Sequence, residues 1–366
     1  MATTNARLRD LEVDHAIDLR NYSVNVVRRM IAVLNRADAA IFSELVQRLR
    51  FMTPETFTIE RLDALLDSVQ ALNRAAYASV NADLRLELRA LTEAELAFQR
   101  AALTASLPPA FPLAAVSLDV TYAAAMARPF QGALLKEFLA DQSLKKARMI
   151  RQTIADGFVQ GQTTDVIVRR LRGTRAAGYA DGLLEITRRD AQTIVRTALS
   201  HTASFAQQQF YDANQALLKG YLWSATLDAR TSSLCQVRDN KEYDLDFQPV
   251  GHSYAWGAGP GRLHYNCRSR RSPLVKSWRD LGVPMDDFTP DERASMDGTV
   301  PAEQDYAAWL KAQSAARQNE ALGPARGALF RAGGLALKDL YDAQGAELTL
   351  EELRKRRPGA FEKVGL

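Results

Sequence analysis

The sequence has few of the residues that mark secreted, membrane or disulfide-rich proteins. It contains only 2 cysteines and 4 histidines in 366 residues, which excludes a disulfide framework. No apolar run approaches the roughly 20 residues that a membrane-spanning helix needs, and the N-terminal stretch lacks the apolar core of a secretory signal. We therefore expect a protein that is made and folded in a cytoplasm and does not contact a membrane.

Common catalytic motifs are also missing. The chain has no His-Glu-x-x-His, no Gly-x-Ser-x-Gly and no Gly-rich phosphate loop. Its composition, 47% hydrophobic and 25% charged, is typical of globular domains, and its length exceeds what one core usually supports. These features predict a multi-domain globular protein that is not an enzyme.

The N-terminal part has the pattern of long helices. Apolar residues such as Val27, Ile31 and Leu34 recur at spacings of three and four, and a second apolar run after Pro54 contains no glycine or proline. The proline-rich stretch SLPPAFPL then ends the pattern. We predict an N-terminal long-helix bundle or hairpin over residues 1–110, whose apolar stripes pack on each other or on a neighbouring protein.

After residue 111 the sequence pattern changes from helical to loop-rich and then back to helical. Helical patterns follow residue 111, including a helix that we expect to be capped by Thr187 and Asp190, and a loop-rich stretch with both cysteines spans residues 221–275. Helical patterns return in a C-terminal extension over residues 279–366, where Thr349 and Glu352 form a capping box. The predicted fold is mainly α with a small α+β, loop-rich Cys/His module inside a central domain over residues 111–278.

The Cys/His module has three open interpretations. Cys235, His264 and Cys267 have ligand types and a His-x-x-Cys spacing that suit zinc, with Asp228 or His252 as a fourth ligand. The same residues would serve thiol catalysis if the imidazole met one activated sulfur. They would also suit a packed core without any ligand. The sequence assigns no cofactor with certainty, and a structural zinc is the candidate. We expect the module to have a structural role in either non-catalytic case.

The stretch LDART precedes the first cysteine and has the composition of a turn. We predict that Asp228 accepts backbone N–H groups there, next to Thr231, and that Arg230 reaches a carboxylate or carbonyl with both ends of its guanidinium. This interpretation makes Asp228 a structural residue rather than a catalytic acid.

The net charge is only +4, but basic residues are clustered. Clustered arginines can neutralise the phosphates of double-stranded DNA without reading its sequence. Seven residues in two clusters are candidates for this contact: Arg169, Arg170, Arg172, Arg175, Arg268, Arg270 and Arg271.

Four segments in order resemble one family. They are GQTTDVIVRRL, IVRTALSHTASFAQQQ, WSATLDARTSSLC and LHYNCRSR. Together they resemble the Mu gpF-like and SPP1 gp7-like minor head, or head morphogenesis, proteins of tailed bacteriophages, over roughly residues 140–275. One departure is that Ala198, and not the frequent glutamate, follows the Arg-Thr pair of the second segment.

The resemblance implies a structural minor head protein found in the virion head near the portal, and in the host cytoplasm during assembly. It implies the portal protein and the major capsid or scaffolding protein as partners, and a role in head assembly and in DNA packaging or delivery. The alternative from another class is a metal- or thiol-dependent hydrolase that uses Cys235, His264 and Cys267.

Overall fold

The computed structural model describes residues 4–52, 56, 58–108, 111–277, 279–282, 292–295, 298–301, 304–342 and 345–366. Helices dominate this part of the chain, and none of the described helices is both long enough and apolar enough to cross a bilayer. The helices are α1 Thr4–Leu49, α2 Ile59–Ser106, α3 Leu118–Ala127, α4 Leu135–Val159, α5 Thr164–Arg172, α6 Leu183–Ala213, α7 Ser233–Gln236, α8 Tyr306–Lys311, α9 Ala315–Leu322, α10 Pro324–Arg331, α11 Leu350–Arg356 and α12 Pro358–Val364. The strands are β1 Leu218–Ser224, β2 Glu242–Tyr243, β3 Pro249–Val250, β4 Arg270–Val275, β5 Glu292–Ser295 and β6 Gly298–Pro301.

The chain divides into two compact units, each built from separate stretches of sequence. The first unit consists of Met1–Arg20, Ala94–Thr121 and Ala203–Leu366. The second consists of Asn21–Glu93 and Tyr122–Thr202. Both units therefore contain parts of α1 and α2.

In the second unit, α1 and α2 run antiparallel. The Ser68 hydroxyl donates to Glu44 at 3.2 Å and the Tyr22 hydroxyl donates to Glu87 at 2.7 Å, so early residues of α1 meet late residues of α2. Their apolar faces form a core with α4, α5 and the start of α6. Its most buried members include Ile41, Val69, Ile150, Ile154, Ile167 and Leu171. The apolar stripes of the two helices are thus covered, at least here, by the chain's own helices.

A buried ion pair crosses this helical unit. The Lys146 ammonium on α4 donates to Asp38 on α1, and both side chains are almost fully buried. Arg188 also approaches Asp38, at 3.5 Å. Removing one partner of such a pair leaves a buried charge without compensation, so the pair fixes how α1, α4 and α6 pack.

In the first unit, a four-stranded antiparallel sheet has the order β3-β2-β1-β4. Strand β1 is central and pairs with β4 in the register Leu222↔Ser272 and Ser224↔Arg270. Gly220 is required on β1, because a Cβ there would lie 2.2 Å from the carbonyl oxygen of Tyr243 on β2. The β1–β4 pairing brings the beginning and the end of the loop-rich module together.

Aromatic residues form the core beneath this sheet. Trp256 packs edge to face with Trp223 and Tyr243, at 5.4 and 4.8 Å between ring centroids. Leu8 of α1 and Leu103 of α2 belong to the same core. The C-terminal helices add a second core around Trp309, Leu329, Leu353 and Phe361, which also contains Leu227 and Val237 of the module.

These elements confirm the predicted fold class, mainly α with a small loop-rich β module. The long N-terminal helices are confirmed, and so is the capping box, in which Thr349 accepts from the Glu352 N–H. The predicted cap at Thr187 is wrong, because α6 already begins at Leu183 and the Thr187 hydroxyl donates to the Leu184 carbonyl. The domain boundaries near residues 110 and 278 stay a prediction; the two units are divided along other lines.

Candidate metal centre and its surroundings

The turn after β1 is organised by Asp228. Its Oδ1 accepts from the Arg230 N–H at 3.0 Å and from the Thr231 hydroxyl at 3.1 Å, as the sequence predicted for a turn. The Tyr306 hydroxyl of α8 donates to the Asp228 carbonyl at 3.1 Å. Asp228 therefore connects the end of β1 to the C-terminal helices.

The guanidinium that binds the Asp228 carboxylate is that of Arg268. That Arg230 reaches a carboxylate or carbonyl stays a prediction. Nη2 of Arg268 lies 2.8 Å from Oδ1, and Nη1 contacts Oδ2 in a bidentate pair, whereas the Arg230 side chain is exposed. Burial alone would raise the pKa of Asp228, but the hydrogen bonds and charge of Arg268 outweigh it and lower the pKa. An ionised Asp228 that is paired in this way does not suit general acid catalysis.

The structure brings Cys235, His264 and Cys267 into one cluster, whose ligand atoms all lie within 4.8 Å of one another. Cys235 Sγ is 3.2 Å from His264 Nε2 and 3.8 Å from Cys267 Sγ. Both cysteines are free and buried, with 2% and 0% of their surface exposed. The sequence prediction that these three residues act together is consistent with this geometry.

Two short turns supply these side chains. The Cys235 N–H donates to the Ser232 carbonyl at 2.9 Å at the start of α7, and the Cys267 N–H donates to the His264 carbonyl at 3.2 Å. Each turn therefore presents side chains three residues apart to the same place. Ser232, which no motif in the sequence marks, has its hydroxyl 2.6 Å from His264 Nε2.

The two thiols titrate as a pair. The hydrogen bond with Cys267, together with burial, raises the pKa of Cys235 well above its usual range. The hydrogen bond from Cys235 lowers the pKa of Cys267 well below its usual range despite burial, with His264 adding to the effect. Burial alone would lower the pKa of His264, but its interaction with Cys267 raises it. The cluster thus favours one thiolate and resists a second.

The two candidate fourth ligands lie elsewhere. The carboxylate of Asp228 is occupied by Arg268, Thr231 and the turn backbone. His252 hydrogen bonds through Nε2 with the Glu242 carbonyl at 2.8 Å and packs on Tyr243. Neither belongs to the cluster of described residues that could hold a metal, so both predicted additions to the ligand set are wrong.

The burial of both sulfurs bears on the hydrolase alternative. A catalytic thiol must meet its substrate, and reactive cysteines sit in partly exposed surroundings. Cys235 and Cys267 instead belong to the aromatic core of the first unit, next to Trp223 and Trp256. This position favours a structural role for the cluster.

The predicted DNA-contacting arginines separate into two groups. Arg169, Arg170, Arg172 and Arg175 are exposed at the end of α5 and just after it, and the Arg172 guanidinium lies 4.8 Å from the ring centre of Tyr179. Arg270 and Arg271 are buried, so the prediction that they reach phosphates is wrong. Arg268, bound to Asp228, has 28% of its side chain exposed.

Arg270 instead centres a buried polar network. It contacts Glu95 and lies 3.2 Å from Glu12, while His15 Nε2 and Gln99 Nε2 donate to Glu95 at 2.8 and 2.9 Å. The network joins β4 to α1 and α2 within the first unit. The sequence carries no local signal for it, because its members are up to 258 positions apart.

Arg271, on the opposite face of β4, is held by aromatic rings. Its guanidinium carbon lies 5.2 Å from the ring centre of Trp256, 5.6 Å from Tyr221 and 5.9 Å from Phe247. Burial lowers the pKa of Arg271. The faces of the aromatic rings stabilise the positive charge of its guanidinium. Both arginines after Arg268 thus belong to the interior of the module.

Residues 148–272 match the family model described as phage Mu protein F like protein. The matched segment runs from within α4 to within β4 and includes Asp228, Cys235, His264 and Cys267. Comparisons with curated proteins and with solved structures gave no match. The match confirms the family resemblance carried by the four sequence segments, over about a third of the chain.

Proposed function

Because residues 148–272 carry the phage Mu protein F like domain, we propose that this chain is a structural minor head protein of a tailed bacteriophage. It takes part in head morphogenesis as a component of the virion. The observation that carries the proposal is the family match, whose motif residues Asp228, Cys235 and Cys267 all make internal contacts in the core. These residues stabilise the fold and do not face a cleft, which supports the proposal of a structural protein without enzymatic activity.

We further propose that the chain lies at the capsid interior near the portal, with the portal protein and the major capsid or scaffolding protein as partners. The N-terminal helices offer the contact surface, because several of their large apolar residues are exposed. Two residues of α2 and one in the turn after α1 have more than 60% of their surface exposed: Leu86 71%, Ile59 62% and Phe51 82%. We propose that a partner buries these side chains, because removing apolar surface from water is favourable.

A test of this contact must leave the hydrophobic cores of the protein intact. Deleting the N-terminal helices would remove Leu8, Leu103, Ile41 and Val69 from them and would unfold the protein. Substituting the exposed residues avoids this problem. The variant Phe51→Ser/Ile59→Ser/Leu86→Ser should fold normally yet be depleted from purified heads, as counted by mass spectrometry of particles with and without DNA.

Val250→Ser provides the matched control, since Val250 is 52% exposed on β3, outside the N-terminal helices. It should enter heads at the wild-type copy number. A triple variant that is incorporated normally would refute the contact through the N-terminal helices. Absence of the wild-type protein from heads would refute the proposed function itself.

A role in DNA packaging or delivery would require contact with DNA, and the exposed arginines at the end of α5 could make it. Arg169, Arg170, Arg172 and Arg175 lie within a few residues of each other and are exposed. Such a cluster attracts the phosphates of double-stranded DNA by releasing counterions, without base contacts. We propose non-specific binding of duplex DNA at this end of α5, and the salt dependence of binding tests it, as described below.

A further inference from the structure

We propose that Cys235, His264 and Cys267 bind one Zn²⁺ ion, with the Ser232 hydroxyl beside the fourth coordination position. The site would be structural and is independent of the role in phage heads. It follows from the spacing of the ligand atoms, the orientation of the imidazole and the charge balance of the cluster.

Two of the three distances between ligand atoms are close to those of a tetrahedral ion, and all three lie within 4.8 Å. With Zn–S bonds of about 2.3 Å, two sulfurs of a tetrahedral site lie about 3.8 Å apart. The Sγ atoms of Cys235 and Cys267 are 3.8 Å apart. The 3.2 Å from Cys235 Sγ to His264 Nε2 is a few tenths of an ångström below the expected edge, which a small rotation of the imidazole would correct.

The imidazole is oriented for a metal. His264 Nδ1 lies 2.8 Å from the Tyr265 carbonyl, which can only accept, so Nδ1 carries the proton. In the neutral ring the lone pair is then on Nε2, which faces Cys235 and Ser232. A hydrogen bond from the second ring nitrogen to a carbonyl is the usual way in which proteins hold a zinc-binding histidine.

Charge balance also favours a divalent cation. Two buried thiolates repel each other, and a buried charge is costly unless it is paired. Zinc binding would release the remaining thiol protons, and the two thiolates would then neutralise the ion. A disulfide would require the sulfurs to approach from 3.8 Å to about 2.05 Å, and neither is bonded in this structure.

Ser232 stands where a fourth protein ligand would be expected. Ser232 and Cys235 have the spacing of a Cys-x-x-Cys zinc motif, with an oxygen in place of the first sulfur. Ser232 lines the cluster with its hydroxyl 2.6 Å from His264 Nε2, so a water held by that hydroxyl would complete the tetrahedron. This placement predicts that Ser232→Cys gains affinity for zinc.

The test uses the full-length reduced protein. After removal of metal with a chelator and titration with ZnCl₂, elemental analysis should give about one zinc per chain, and the melting temperature should rise with zinc. Co²⁺ in its place should show the absorption bands of tetrahedral thiolate coordination. Thiol titration should count two reactive thiols in the unfolded metal-free protein, which excludes a disulfide.

Variants then assign the ligands. Cys235→Ser and Cys267→Ser should lose stoichiometric zinc, Ser232→Cys should bind it at least tenfold more tightly, and His252→Asn should bind like wild type. His252 is the matched control because it lies in the same module outside the cluster.

Failure of the wild-type chain to bind zinc or cobalt would refute the site, even if the serine variants do not fold. Zinc binding that survives His264→Asn and Cys267→Ser together would place the ion elsewhere and would also refute it. Particle incorporation does not enter either outcome, so the metal site and the proposed function fail separately.

Discussion

The substitution Glu95→Gln tests the buried network around Arg270, and its effect should depend on pH. Burial alone would raise the pKa of Glu95, but the charge of Arg270 and the hydrogen bonds from His15 and Gln99 outweigh it and lower the pKa from 4.5 to about 2. A carboxylate whose pKa is lowered in the folded state stabilises that state above pH 4.5. The stabilisation is then lost as the pH falls from 4.5 towards 2.

The size of the effect follows from the pKa shift. At about 1.36 kcal/mol per pKa unit, the ionised Glu95 contributes about 3 kcal/mol at pH 7. At pH 3.5 only about 2 kcal/mol of this stabilisation remains, because the Glu95 carboxyl is then mostly protonated in the unfolded state. For a unit of about 200 residues, a loss of about 3 kcal/mol lowers the melting temperature by about 6 to 12 °C.

Urea denaturation followed by tryptophan fluorescence provides the assay, since Trp223, Trp256 and Trp309 are buried in the first unit. The difference in unfolding free energy between wild type and Glu95→Gln should shrink by about 1 kcal/mol between pH 7 and pH 3.5. Glu93→Gln, at an exposed position on the same helix, should be neutral. A difference that does not change with pH, or an equal loss in Glu93→Gln, would refute the reasoning.

Two further predictions concern the module and the basic helix. Asp228→Asn should lower the unfolding free energy by about 2 kcal/mol, because it weakens the charged pair with Arg268, whereas Arg230→Ala should change it by less than about 0.5 kcal/mol; equal effects in urea denaturation would contradict the assignment of the clamp. Changing Arg169, Arg170 and Arg175 to serine should lower the slope of log affinity for duplex DNA against log salt by about 3. A control variant removes three exposed positive charges elsewhere: Lys311→Ser/Lys355→Ser/Arg356→Ser. An equal reduction in that control would show that net charge, and not the end of α5, governs binding.

The sequence predicted the long helices well because their information is local. The spacing of Val27, Ile31 and Leu34 and the absence of glycine and proline from the second run are properties of neighbouring residues. The same holds for the capping box at Thr349. Prediction was poorer at Thr187, where a suitable cap residue lies one turn inside a helix whose start is determined by tertiary packing.

The sequence predicted which residues form the candidate site, but not which of them pair with each other. The grouping of Cys235, His264 and Cys267 came from scarcity and spacing, and the structure places them together. The sequence placed Asp228 in a turn but did not identify its charged partner Arg268, which lies 40 positions further on and meets it across the fold. Contacts of this kind depend on strand register, which no local pattern reveals.

The structure also shows what the Cys/His cluster connects. Cys235 lies near the start of the loop-rich stretch and Cys267 near its end, a placement that would suit holding the two ends together. The pairing Ser224↔Arg270 already does this through the backbone of β1 and β4. The cluster instead joins two turns inside the module, those of Ser232–Cys235 and His264–Cys267.

The interleaving of the two units has a consequence for how the protein is made. The first unit takes its core from Leu8 and Leu103 as well as from residues beyond 203, so it cannot be completed on the ribosome until most of the chain has emerged. Until then, Leu8 of α1 and Leu103 of α2 lack the late partners of their core. A fragment cut to residues 148–272 would lack Glu12, Glu95 and both core leucines, and it would leave Arg270 with a buried charge and no carboxylate. The family domain of this protein is therefore a sequence module whose folding depends on helices encoded far upstream.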